Sequence, residues 1–181
     1  MEYDYSKLND REFEILAASV IAKEHNIKVE IFKSGKDGGV DGRFWIGDKK
    51  EGIIQCKHYF STPYPQLISK LKTEELAKVK NLNPHKYIFI TSKTLSRINK
   101  IEILNLFKTY IQDVSDIWGQ EDLNSFLSKR ENQDVVERNY KLWITSTSVL
   151  DILINNAIKG RSQFTIREIE ENSYRYVVTA N

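Results

Sequence analysis

The chain has 181 residues, of which 40% are hydrophobic and 29% are charged, and its formal net charge is +2. This length fits one domain with a small appendage, and the near-neutral charge excludes binding to nucleic acid through the global charge alone. The single cysteine, Cys56, excludes a disulfide framework and a cysteine-rich zinc site. The N-terminus has no secretory pattern and no apolar run reaches about 18 residues, so we expect a cytoplasmic protein without membrane association.

A helix and three strands are predicted over the first 60 residues. Asn9 or Asp10 caps a helix that runs to about residue 25, because apolar residues recur there at helical spacing. Residues 28–33 alternate as a strand with Val29 and Ile31 facing inward. After a loop rich in glycine, two strands at 40–46 and 52–58 flank a turn.

Helices and short strands alternate further along the chain. We expect helices over residues 66–82, 97–111 and 121–129, and strands over residues 87–91 and 114–118. This order predicts an α/β fold in which a mixed central sheet carries helices on both faces. Helical patterns over residues 134–160 and 164–176 predict a small C-terminal helical appendage.

The two strands around the turn bring unlike polar groups together. Alternation places Gln55 and Lys57 on one face of their strand and Cys56 on the other. A three-residue turn at positions 47–49 pairs residues whose numbers sum to 96, which sets Asp41 opposite Gln55 and diagonal to Lys57. A two-residue turn would destroy this parity, so the prediction depends on the turn length.

This trio favours hydrolysis of a phosphodiester bond. Carboxylate and carbonyl oxygens bind hard cations such as Mg²⁺, which polarise a phosphate and activate a bound water. A neighbouring lysine can position that water or stabilise charge on phosphorus. Glu14, at the margin of the apolar stripe of the first helix, can supply a further carboxylate.

Three blocks of the sequence resemble the signature blocks of Mrr-like restriction endonucleases, a branch of the PD-(D/E)XK superfamily. They are Phe13-Glu14, Gly38-Gly39-Val40-Asp41 and Gln55-Cys56-Lys57-His58-Tyr59. The resemblance covers about residues 8–130 and implies a restriction-endonuclease-like fold with DNA as substrate. It predicts a nuclease domain at 1–130 and a helical connector or appendage at 131–181.

The resemblance also implies a role for each candidate residue. Asp41 would be the main metal ligand, Lys57 the catalytic lysine, and Gln55 would replace the acidic residue that is usual in the superfamily. Glu14 and the backbone carbonyl of Cys56 would be further ligands of Mg²⁺, for which Mn²⁺ would substitute. The expected contacts to DNA are Lys36, Arg43 and Tyr59.

The same resemblance also implies binding partners for this chain. Cleavage of both strands by one site per chain calls for at least two chains, so we expect a homo-oligomer. Residues 142–146 and 154–162 resemble the connector that follows such nuclease domains in bacterial STAND-type NTPases. This implies a role in antiviral defence, and the chain is then either the N-terminal piece of a longer protein with an NTPase or sensor domain outside this sequence, or it stands alone.

Simpler interpretations exist for each pattern. The glycine-rich segment at 37–39 is also typical of a plain turn, and the acid–amide–lysine trio could be an ordinary ion pair on an exposed sheet. The lysines at 70, 72, 78 and 80, partly balanced by Glu74 and Glu75, indicate a solvated helix face. A nucleic-acid-binding or oligomerisation module without catalysis is the alternative function, and the intact trio favours the enzyme.

Overall fold

The computed structural model describes residues 3–32, 40–47, 49–142 and 158. Met1–Trp143 form one compact unit and Ile144–Asn181 a second. The helix predicted over residues 164–176 and most of the one over 134–160 lie outside the described residues. No helix within the described ranges is long and apolar enough to span a bilayer.

Five strands form one mixed sheet in the order β1-β2-β3-β4-β5. They are β1 (Val29–Ile31), β2 (Gly42–Ile46), β3 (Lys50–Lys57), β4 (Lys86–Thr91) and β5 (Ile117–Trp118). The first two pairings are antiparallel and the last two are parallel. Apolar side chains occupy both faces of the central strand β3, as expected for a strand covered on both sides.

Helices cover both faces of the sheet, which confirms the predicted α/β architecture. On one face lie α1 (Asp10–Glu24), α5 (Gln120–Leu127) and α6 (Gln133–Arg138). On the other lie α2 (Tyr64–Lys70), α3 (Leu76–Leu82) and α4 (Arg97–Leu106). Ile54 and Cys56 pack into the first layer and Ile53 into the second, as strand alternation requires.

The first helix begins where the sequence predicts it. The Asn9 side chain accepts a hydrogen bond from the backbone N–H of Glu12, and the Glu12 carboxylate accepts one from the backbone N–H of Asn9. This capping box satisfies two backbone donors that the first turn leaves without helical partners. Phe13, Leu16 and Ile21 of the predicted stripe are fully buried.

Other elements differ from their predictions. The helix expected over residues 66–82 contains a π-helical segment, Leu71–Glu75, between α2 and α3. The strand expected over residues 114–118 is only Ile117–Trp118, preceded by the 3-10 turn Val114–Asp116. Ile31 is 38% exposed, although it shares a strand face with Val29, which packs against the core, because it ends a three-residue strand at the sheet edge, where strands have one neighbour.

Residues 131–142 belong to the body of the first unit. Val135, Val136 and Leu142 are buried in the same core cluster as α1. The backbone N–H of Asp4 donates to the carbonyl oxygen of Leu142, which ties the two ends of the unit together. The predicted division after residue 130 therefore falls within this unit, and as a domain boundary it stays a prediction.

Candidate active site

The antiparallel pairing of β2 with β3 has the predicted register. Gly42 pairs with Ile54 and Ile46 with Lys50, so the paired residue numbers sum to 96. Asp41 immediately precedes β2 and its carboxylate reaches across to β3. Its Oδ2 accepts hydrogen bonds from Gln55 Nε2 at 2.5 Å and from the backbone N–H of Cys56 at 2.6 Å. The acid and the amide therefore meet as the sequence indicates.

Several neighbouring groups shift the pKa of the Asp41 carboxyl in opposite directions. Burial raises the pKa of the Asp41 carboxyl to about 6; the hydrogen bond from Cys56 opposes this rise, while the nearby negative charge of Glu14 adds to it. Lys57 acts to lower the same pKa. A carboxylate that is partly desolvated and close to a second carboxylate is a group whose ionised form a cation would stabilise.

A pocket of about 190 Å³ collects side chains from α1, the start of β2 and the end of β3. Glu14 lines it together with Asp41, so the carboxylate predicted on the first helix does face the site. Glu14 is itself held by Arg11, whose Nη1 lies 2.9 Å from Glu14 Oε2. The remaining lining residues are Asp10, Phe13, Gln55, Cys56, Lys57, His58 and Tyr59.

Lys57 lines this pocket, but its ammonium group is bound to another residue. Its Nζ lies 2.9 Å from Oε1 of Glu75. Glu75 is the last residue of the π-helical segment and is 1% exposed. Lys78 Nζ binds the same Oε1, also at 2.9 Å.

Glu75 is the site residue that the sequence analysis missed. We predicted it to be part of a solvated helix face, which is wrong, because its carboxylate is buried against the sheet. A signal was present: Leu67, Leu71 and Val79 are buried at intervals that include position 75, so a carboxylate interrupts an apolar stripe. A charged residue at such a position requires a buried partner.

Cys56 and His58 have structural surroundings on the face opposite Lys57. Burial raises the pKa of the Cys56 thiol well above its usual value, so the thiol is not a nucleophile. His58 stacks on Phe13 and its Nε2 lies 2.9 Å from the carbonyl oxygen of Leu8. Since a carbonyl oxygen only accepts, Nε2 is the donor, and Ser92 Oγ contacts Nδ1 at 2.9 Å.

The three residues predicted to contact DNA have different surroundings. Lys36 lies outside the described residues. Arg43 is bound by Glu30 at 2.8 Å and Glu51 at 3.6 Å, so its charge is already neutralised. Tyr59 lines the pocket, and its hydroxyl accepts a hydrogen bond from Lys70 Nζ at 3.1 Å.

The donors around Asp41 suit a hard divalent cation. Within the ranges that the structure describes, no three histidine, cysteine or acidic side chains are gathered to hold a metal. The carboxylates of Asp10, Glu14 and Asp41 line the pocket, and of these Asp41 and Glu14, with neutral oxygens such as the Cys56 carbonyl, are the predicted ligands. Oxygen-only sets with few charges are the kind that Mg²⁺ uses when waters and substrate complete its coordination.

A mixed sheet flanked by helices, with an acid, an amide and a lysine at the ends of two neighbouring strands, defines the restriction-endonuclease-like class. Residues 5–103 match the model of the Mrr-type catalytic domain, described as a restriction endonuclease, and the chain belongs to this family. It is also similar to the uncharacterized protein y4cD of Sinorhizobium fredii, at 34% identity over 159 residues. That match covers 88% of this chain, which spans only about a quarter (24%) of the relative's length.

Proposed function

We propose that this chain is a divalent-cation-dependent endonuclease that hydrolyses phosphodiester bonds of DNA. The observation that carries the proposal is the gathering of Asp41, Gln55, Lys57 and Glu14 around one pocket. Membership of the restriction endonuclease family supports a nuclease with DNA as substrate. Phosphoryl chemistry of this kind depends on positioning and charge stabilisation, which these four side chains can supply.

Each residue has a distinct role in the proposed site. Asp41, Glu14 and the Cys56 carbonyl would hold Mg²⁺, or Mn²⁺ in its place, and Gln55 holds the Asp41 carboxylate by its hydrogen bond. When bound, the cation supplies polarisation of the scissile phosphate and a lowered pKa for its water. The Lys57 ammonium stabilises the negative charge on the phosphate and orients the attacking water.

Binding of DNA would rely on cations at the rim of the pocket. Lys70 lies 5.0 Å from the ring centroid of Tyr59, on the exposed surface next to the site, and is suited to contact a phosphate. Lys36 would add a second contact, whereas Arg43 would have to exchange its glutamate partners for phosphate oxygens. Such binding should be weak and sensitive to salt, because the net charge is only +2.

We place this nuclease in the cytoplasm, as the cleaving module of a bacterial defence protein. The length of the S. fredii relative, of which this chain spans 24%, supports a larger protein. The NTPase or sensor domain that would control the nuclease is part of this proposal and rests on the resemblance of the connector. A homo-oligomer would bring two sites to the two strands of a duplex. A chain that binds DNA without cutting it would instead be the inactive module of such a protein.

Cleavage of supercoiled plasmid tests the proposal. The wild-type protein should nick or linearise the plasmid with Mg²⁺ or Mn²⁺ and not with EDTA. Asp41→Ala and Lys57→Ala should each reduce the rate by at least about 100-fold, because each removes a charge used at the transition state. Glu24→Ala and Lys108→Ala, exposed residues of matching charge elsewhere, should cut at the wild-type rate.

Two outcomes of the plasmid assay would contradict this assignment. If both Asp41→Ala and Lys57→Ala cut plasmid like the wild type, the pocket is not the active site. If the folded wild-type protein binds DNA and never cuts it, including as its native oligomer, the catalytic proposal fails and the binding module is favoured.

A further inference from the structure

We propose that Glu75 is the positioning residue of the site: it holds the Lys57 ammonium in place and prevents Lys57 from pairing with Asp41. This inference rests on the proposed nuclease function and deepens it. The sequence marks Glu75 only as a carboxylate within an apolar stripe, and its contact with Lys57 arises because the helix after β3 packs on the sheet face that carries Gln55 and Lys57.

The first observation is the geometry of the ion pair. Lys57 Nζ and Lys78 Nζ both lie 2.9 Å from Oε1 of Glu75, while Oε2 is buried without a hydrogen-bond partner among the described residues. The Lys57 side chain is only 18% exposed. A buried carboxylate is strongly unfavourable unless cations compensate its charge. The ammonium groups of Lys57 and Lys78 are therefore kept in contact with the Glu75 carboxylate.

The second observation is that Glu75 is charged despite its burial. Burial raises the pKa of the Glu75 carboxyl, but the hydrogen bonds from Lys57 and Lys78 outweigh burial and leave the pKa below its usual value. Glu75 is therefore an anion across the neutral range. It competes with Asp41 for the Lys57 ammonium, and the structure shows Lys57 bound to Glu75.

Which carboxylate binds the Lys57 ammonium decides whether Asp41 can bind a cation. If Lys57 turned to Asp41, the pair would neutralise the carboxylate that the cation needs and would remove the ammonium from the phosphate. With Lys57 bound to Glu75, the hydrogen bonds to Asp41 Oδ2 come from neutral donors, Gln55 and the Cys56 N–H. The Asp41 charge is then free to bind a cation.

The third observation is the backbone that carries Glu75. Within Leu71–Glu75 the helix is π-helical, and the N–H of Leu76 bonds to the carbonyl of Leu71, five residues earlier. Such wide turns are rare and occur often at functional sites, because they change which residues face inward. Here Leu67, Leu71 and Glu75 recur every four residues and are all buried.

Glu75→Gln tests the inference, because it keeps the shape of the side chain and removes its charge. We expect kcat for plasmid cleavage to fall about 10- to 100-fold, since small misplacement of a catalytic group has effects of this size. KM for DNA should stay within about twofold, because Glu75 does not face the bound DNA in this proposal. Glu75→Asp keeps the charge and should retain more activity than Glu75→Gln.

Two controls separate positioning from structural support. Lys78→Met removes the other cation on the same carboxylate oxygen and leaves the Lys57 contact, so kcat should change less than about threefold. Glu102→Gln removes a partly exposed glutamate partner, that of Lys72, which does not line the pocket, and should have no effect on cleavage. If Lys78→Met lowers kcat as much as Glu75→Gln, or if Glu75→Gln lowers thermal stability but not kcat, the inference is wrong.

Chemical labelling of Lys57 in the absence of DNA tests the Glu75 contact independently of nuclease activity. Reductive methylation of metal-free protein, followed by peptide mass spectrometry, measures how accessible the Lys57 amine is. Glu75→Gln should increase labelling of Lys57 several-fold, because the amine moves from a carboxylate that is 1% exposed into the open pocket that Asp41 lines, whereas Lys78→Met should not. If the wild type never cuts DNA but this labelling pattern holds, the nuclease proposal fails and the positioning contact stands; unchanged labelling and unchanged kcat in Glu75→Gln would overturn the positioning role.

Discussion

At the scale of single residues, Asp41 is a buried carboxylate of the proposed site, and its ionisation lowers the stability of the metal-free protein. Its Oδ2 accepts two short hydrogen bonds, yet burial and Glu14 raise the pKa of the carboxyl to about 6. An acid whose pKa is raised on folding binds its proton more tightly in the native state. Its contribution to stability is therefore greatest at low pH and is lost as the pH rises from about 4 to about 6.

Asp41→Asn should therefore stabilise the metal-free protein at neutral pH. The expected gain in the free energy of unfolding at pH 7 is about 1 to 3 kcal/mol, from a pKa change of about two units. The gain should disappear below about pH 4, where the wild-type carboxyl is protonated in both states. Urea unfolding in EDTA at pH 7 and pH 3.5 measures this, and an equal effect of the substitution at both values would contradict it.

At the scale of elements, the β2–β3 hairpin decides which side chains reach the site. Its register depends on the turn after Ile46 and on the packing of Gly52 against Phe44, its cross-strand partner. A Cβ on Gly52 would lie 2.2 Å from the Cζ of Phe44, whose ring is 2% exposed and covers the glycine. Gly52 is thus required by close packing and not by backbone conformation.

Gly52→Ala should destabilise the protein through this contact. Overpacking of a filled core costs about 1 to 3 kcal/mol, so the urea midpoint should fall while the m-value stays unchanged. Phe44→Leu alone leaves space in the core, and in that background the cost of Gly52→Ala should be smaller. If the two substitutions are additive, the Phe44 ring is not the cause.

At the scale of the whole molecule, the first unit is closed by contacts between its ends. Lys23 binds the carbonyl of Glu131 and the side chain of Asp134, and Lys141 Nζ lies 2.5 Å from Glu12 Oε1. Together with the buried side chains of α6 and Leu142, these contacts fasten residues 131–142 onto α1. These contacts reach the first turn of α1, through Glu12, and its last turn, through Lys23, so the helix that supplies Glu14 is fixed at both ends.

We therefore expect a fragment of residues 1–143 to fold and a fragment of residues 1–130 to be much less stable. Full burial of one valine or leucine side chain contributes about 1.5 to 3 kcal/mol, and the shorter fragment loses Val135, Val136 and Leu142. The total stability of a domain is only about 5 to 15 kcal/mol. Circular dichroism during urea unfolding compares the fragments, and equal midpoints would place the domain boundary near residue 130 after all.

Short-range patterns in the sequence were sufficient to predict the β2–β3 hairpin and the first helix. The helix cap at Asn9, the parity of Asp41 with Gln55 and the alternation of Gln55 and Cys56 depend on neighbours within a few residues or across one turn. Backbone geometry dictates such relations, so the sequence alone determined the mixed sheet, the helices on both faces and the meeting of Asp41 with Gln55.

The tertiary structure decided the relations between distant segments. The π-helical segment, the burial of Glu75 and its bond to Lys57 arise where one helix packs on the sheet, and Arg43 is engaged by Glu30 and Glu51 from two neighbouring strands. The free energy of a charged side chain depends on which partners and how much water surround it in the folded state. Local sequence carries little of that information, so only the packed fold decided how Lys57 is held and which cations are already paired.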